Sequence, residues 1–241
     1  MNKFLTVLTI SVLSAGVSSY SMAKTVVDTK AMSQEARDAH YKASIATSDQ
    51  AFKALEEKVS EISEILKNEG ELEFLELESI HEISYTLEAA VDRLRDEKAA
   101  DIAKLDILDE AVQAIHFASE KQKEAQTREW FAKLKPAAGD IKKGTEISDA
   151  EPVKKEFYEI TIKDHKFSPI ETVVPAGQKI KLRVSNQDAT PEEFESHDMN
   201  REKIISGNKT ATIFVGPLKP GKYHYFGEFN MDTANGYIIA K

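Results

Sequence analysis

Partway along this chain the spacing of apolar residues changes from a period of 3.6 to a period of 2, and that change dictates two units of different class. Phe52, Leu55, Val59, Ile62 and Leu66 step by three and four, as one face of a helix requires. Ile80, Ile83, Leu87, Val91 and Leu94 repeat the spacing, and Leu105, Leu108, Val112 and Ile115 carry it on. Between residues 33 and 133 there is one glycine, Gly70, and no proline. Past a polar stretch from Pro136 to Pro152 the pattern alternates: Tyr158, Ile160 and Ile162 between polar neighbours, then Ile180, Leu182 and Val184 between Lys and Arg. Further strands are predicted over 209–215, 222–227 and 236–240, with turn chemistry at Pro175-Ala-Gly177, Ser206-Gly207-Asn208 and Pro220-Gly221. The expected fold is α+β and multidomain: an antiparallel helical bundle over residues 24–135, a linker over 136–151 and a Greek-key β-sandwich over 152–241.

No breaker separates the second and third helical runs, and Asp101 is the available N-cap between them. A hairpin is favoured over one continuous helix, because residues 72–132 in a single helix would run about 90 Å. With the turn near residues 98 and 99, residue i faces residue 197 minus i, which sets His81 opposite His116.

Residues 1–23 have Lys3 near the start, an apolar run from Phe4 to Val17, and Ser21-Met22-Ala23 ahead of Lys24. These are the marks of a secretory signal peptide, so the expected location is a bacterial periplasm, without insertion in the membrane after cleavage. The chain has no cysteine, which excludes disulfides, thiol catalysis, type 1 copper and covalently attached haem. A net charge of −9 points to cationic partners rather than nucleic acid.

Two groups of residues carry metal-ligand chemistry. The first is Glu193, Glu195, His197 and Glu202, read as an acidic loop with Glu228 and Asp232 as additions and Met199 within approach. Carboxylates with an imidazole suit iron, manganese or a loosely held copper. The second lies on the helices: Glu78-Ser-Ile-His81 places a carboxylate and an imidazole on one face, and the hairpin would gather Glu78, Glu82, His116 and Glu120 around His81, with Glu57 or Glu61 from the first helix. A di-iron bundle wants a second such step, but Gln113 stands where the second carboxylate should be. The bland alternatives are a solvated acidic run and two helix-flank histidines bonded to neighbouring glutamates.

The C-terminal unit resembles the cupredoxins, specifically the cupredoxin-like periplasmic proteins of bacterial iron uptake of the Efe and Ftr types. The resemblance rests on Phe167-Ser-Pro169, Val174-Pro-Ala-Gly177, Asn186, Glu193-Phe-Glu-Ser196, Arg201-Glu-Lys203, Pro217-Leu-Lys-Pro-Gly-Lys-Tyr223 and Gly227-Glu-Phe229 through Gly236. It places Gly227, Asn230 and Ala234 in the slots of a blue-copper ligand loop, and Phe167 and Phe226 at two cysteine positions of the Efe branch. It implies ferric iron at Glu193, Glu195 and Glu202.

The leading expectation is a periplasmic accessory protein of iron acquisition that holds iron, or copper, for a membrane permease or another periplasmic subunit. The rival is a metal-free scaffold whose helical unit supplies a homodimer or docking surface. A third reading is a ferroxidase built on the helical cluster. No Gly-x-Ser-x-Gly, His-Glu-x-x-His or phosphate-cradling glycine loop speaks for a hydrolase.

Overall fold

A computed structural model describes residue 32 and residues 34–67, 69–141 and 157–241. The signal-peptide stretch and most of the expected linker lie outside the described residues. Among the described residues five helices precede nine strands: α1 (Gln34–Ser44), α2 (Ser48–Ile65), α3 (Phe74–Asp96), α4 (Ile102–Glu120), α5 (Glu124–Asp140), β1 (Phe157–Lys163), β2 (Lys166–Ser168), β3 (Glu171–Val174), β4 (Ile180–Asn186), β5 (Glu192–Ser196), β6 (Arg201–Ile205), β7 (Thr210–Val215), β8 (Gly221–Gly227) and β9 (Asn235–Ala240). None of these helices is long and apolar enough to cross a membrane.

α2 and α4 begin on side-chain caps. Thr47 and Gln50 form a reciprocal capping box at the start of α2. At the start of α4 the Asp101 carboxylate accepts from the backbone N–H groups of Ala103 and Lys104, at 2.9 and 3.0 Å. The chain reverses between α3 and α4 through Lys98, whose φ is +51°. The hairpin therefore forms where it was expected, and the apolar stripes of α2, α3 and α4 share one core that includes Leu55, Ile62, Ile80, Leu87, Leu94, Leu108 and Ile115.

Two helices go beyond the sequence reading. α1 precedes the first apolar stripe, and α5 follows a break at Gln122, whose φ is +54°. α5 runs through Pro136 to Asp140, past the residue where the polar linker was expected to begin.

The strands form a mixed sandwich. One sheet has the order β2-β1-β4-β7 and the other β3-β9-β8-β5-β6, with β1 parallel to β4 and β3 parallel to β9. Ile160, Ile162, Leu182, Val184, Phe194, Ile213, Tyr225 and Ile238 fill the space between the sheets. The stretch read as an acidic loop is a β-hairpin, with Glu195 paired directly to Glu202. Every residue of β5 and β6 is buried. Glu193, Glu195 and Glu202 lie on the face of that hairpin away from Phe194, and the helical unit covers it, so carboxylates occupy positions that would otherwise meet water.

Candidate metal centre

The two groups of residues separated in the sequence meet at the contact between the helices and the hairpin. His81 on α3 and His116 on α4 stand with ring centroids 4.9 Å apart, as the hairpin arithmetic requires. Glu202 on β6 brings Oε1 to 2.6 Å from His116 Nε2, a short contact without the alignment of a hydrogen bond. One ligand-type atom from each of His81, His116 and Glu202 falls within 4.8 Å of the others, and all three residues are buried.

His116 is held from behind. Its Nδ1 lies 2.6 Å from Glu88 Oε1, and the other oxygen of Glu88 accepts from Lys203 Nζ at 2.9 Å. A carboxylate on one ring nitrogen fixes the imidazole and turns the other nitrogen toward a ligand position, which is how ligating histidines are commonly supported. Tyr85 packs edge-on against the His116 ring at 4.5 Å and lies 5.1 Å from His81, keeping one side of the pair apolar.

The electrostatics follow from this crowding. Burial opposes a charged His116 ring, but Glu202 and Glu88 on either side outweigh it and raise the imidazole well above its ordinary range. Burial also opposes charge on Glu88, yet Lys203 and His116 hold it down at about 2. Glu202 is pushed up to about 7 by burial and by Glu120, against the pull of His116. Burial opposes charge on Glu120, yet its neighbours Glu202 and Lys121 hold it at about 2. A second pair repeats this, with Glu228 raised to about 7 by its hydrogen bond to Glu195, which is lowered in turn. Burial and the surrounding carboxylates raise Glu193 well above its usual value, and its Oε2 is buried with no hydrogen-bond partner.

Glu193, Glu195, Glu202, Glu120, His81 and His116 therefore form one neighbourhood, extended outward by Glu228 and by His197. The His197 ring is mostly exposed, with Nε2 2.5 Å from Glu195 Oε1. Glu78 sits at the edge, 4.0 Å from His81 Nδ1. Other expected residues lie elsewhere. Asp232 is exposed in the turn after the 3₁₀ segment Glu228–Asn230 and takes no part in the contacts just described. Glu82 accepts from the Tyr41 hydroxyl at 2.7 Å. Glu57 and Glu61 pair with Lys53 and Lys58 along α2, because their positions fall off the buried stripe of that helix. Met199 packs in the core of the sandwich. Sequence reasoning missed Glu88 and Lys203; a carboxylate at an otherwise apolar turn of α3 was the signal available for the first.

The blue-copper slots are occupied by packing. A Cβ on Gly227 would stand 2.6 Å from Ala234 Cβ and 2.7 Å from Glu192 Cδ. Asn230 Nδ2 and the Phe229 N–H donate to the Glu192 carboxylate at 2.7 and 3.0 Å. Phe167 is buried against Phe194 and Tyr225, and Phe226 packs against the rings of His197 and His224.

Comparison with known proteins gives two family matches that meet within α5. Residues 130–240 match a cupredoxin-like domain, and residues 11–134 match a family of unknown function, DUF6746. An uncharacterised protein of Rickettsia prowazekii is 56% identical over 80 residues, which is 33% of this chain and 64% of that protein's length. Among solved structures, auracyanin A, a blue copper protein of Chloroflexus aurantiacus, is 16% identical over 36% of this chain and 98% of its own, with a TM-score of 0.32. Amicyanin of Paracoccus versutus is 14% identical over 37% of this chain and 86% of its own, with a TM-score of 0.30.

Proposed function

This chain belongs to the DUF6746 family of unknown function and carries a cupredoxin-like domain, and from that premise we propose that it binds a transition-metal ion between its two units. The observation that carries the reading is the convergence of His81, His116 and Glu202, each buried and each from a different element. Two imidazoles and one carboxylate with further positions open are a donor set used for non-haem iron, and the same ligands accept zinc or copper. The surrounding Glu120, Glu193, Glu195 and Glu228 favour iron, since hard carboxylate oxygens match it best. His81, His116 and Glu202 would hold the ion, Glu88 would orient His116, and the ion would take the place of the protons now shared among the carboxyls. The role is that of an accessory protein of iron handling outside the cytoplasm, receiving the ion and passing it to a membrane permease or another periplasmic subunit.

Calorimetric titration of the protein with Fe(II) under anaerobic conditions, and with Cu(II), Mn(II) and Zn(II), tests this directly. Saturable binding of one ion is expected, weakened about a hundredfold or more by His116→Ala or Glu202→Gln, given that loss of a merely supporting partner already costs ten- to a hundredfold. Unchanged affinity in both variants removes the site.

A second reading has its own support. The chain Lys203, Glu88, His116, Glu202 is already paired end to end as an ion network, which is what a purely structural clamp between two domains of a scaffold would look like. Absence of binding for every ion leaves that reading standing.

A further inference from the structure

The last turn of α4 carries His116 and Glu120 toward the hairpin, and its C-cap residue, Lys121, turns its side chain back over them. Glu120 links the buried centre to solvent: it neighbours Glu202 on the inside, yet its side chain is 31% exposed. Lys121 Nζ covers that link, 3.0 Å from Glu120 Oε1, 2.9 Å from Glu120 Oε2 and 3.3 Å from Glu195 Oε1. The stem crosses Phe117, leaving Nζ 5.5 Å from the ring centroid.

An ordinary surface ion pair joins one cation to one anion and contributes little to the fold. Lys121 differs, because it bridges carboxylates from both units at the place where the cluster reaches water. Its ammonium occupies a position of negative potential set by Glu120 and Glu195, which is where an approaching metal cation would first be drawn.

We propose that Lys121 is a tethered cation that holds the entrance to the His81, His116 and Glu202 centre and is displaced by an incoming multivalent metal ion. The inference rests on the metal-binding reading above. A divalent ion gains twice the Coulomb energy of an ammonium at equal distance and so displaces it, whereas a monovalent ion gains no more than the lysine already provides. Lys121 thereby acts on the rate of loading and on the choice between cations of different charge, without ligating the metal itself.

The test is stopped-flow uptake of Co(II), followed by its visible absorption, in the full chain carrying Lys121→Met, Lys121→Arg or Glu78→Gln. Methionine keeps the packing on Phe117 while removing the charge. Uptake by Lys121→Met is expected to be about tenfold faster than wild type, with a far-ultraviolet circular dichroism spectrum unchanged, and Lys121→Arg should load like wild type. Equal rates in wild type and Lys121→Met overturn the inference, as does equal acceleration by methionine and arginine, or acceleration confined to Glu78→Gln, which would place the entrance on the α3 side. Failure of wild type and Lys121→Met alike to take up Co(II) removes the metal reading and this inference with it, whereas uptake at equal rates removes this inference alone.

Discussion

His116 sits between two glutamates, and Glu202 keeps its proton to about pH 7, so in the absence of metal this cluster is a store of protons whose release depends on pH. Stability should respond in a definite direction. His116 is raised in the fold, so its contribution is complete below about 6.5 and is lost as pH climbs through the folded value. Glu202 rises from 4.5 to about 7, so across that interval the folded state binds the extra proton and stability falls as pH rises. Glu88, at about 2, acts oppositely, but its contribution is already complete above 4.5. The metal-free protein should therefore melt highest near pH 5 and lower at pH 8. The Glu202 part is on the order of 3 kcal/mol, or roughly 6–12 °C in a chain of this size. Glu202→Gln, which fixes the neutral form, should shrink that drop in calorimetric scans. A melting temperature that climbs from pH 5 to 8 would contradict the assignment.

At the scale of elements, the α3–α4 hairpin is what turns two histidines far apart in sequence into neighbours. Asp101 holds its second arm by accepting from two N–H groups, so Asp101→Ala should destabilise the protein by about 1 kcal/mol, or roughly 2–4 °C in a thermal melt. An unchanged melt would show that packing along α3 and α4 alone fixes the turn. This pairing could be read from the sequence because helical period and turn position together determine which residues face each other. The β5–β6 hairpin could not. A half-buried strand announces itself by polar residues on its wet face, and here Glu193, Glu195 and Glu202 show that pattern while being buried beneath the helices. Alternation alone does not say what covers a face. For the same reason the acidic and helical groups looked like two sites, since the contact that joins them depends on how two units pack. α5 was hidden by Pro136, which marked a linker in the sequence but sits inside the helix.

At the scale of the whole molecule, the contact between the units is polar and buried. Lys203, 2% exposed, reaches from β6 to Glu88 on α3; Gln113 on α4 donates to the Thr212 carbonyl on β7 at 2.8 Å; and Asp106 on α4 pairs with Lys181 on β4 at 2.6 Å while also accepting from Arg95. Such pairs specify one arrangement of the two units more than they stabilise it, because each buried ion has given up its hydration. Breaking one partner should then be severe. Lys203→Met leaves Glu88 charged and buried, and the expected loss is about 3–5 kcal/mol, with partial recovery when Glu88→Gln is added. Trp130 on α5, with the Arg201 guanidinium 5.9 Å from its ring, reports on the contact by fluorescence, while helical ellipticity reports on the bundle. In wild type both signals should melt together, as expected when two units unfold as one. In Lys203→Met the Trp130 transition should move below the helical one, because the contact opens before the bundle does. Coincident transitions at the wild-type temperature would mean that apolar packing between α4 and the sandwich, rather than the ion network, joins the units, and the proposed metal centre would then rest on a contact that tolerates loss of its charges.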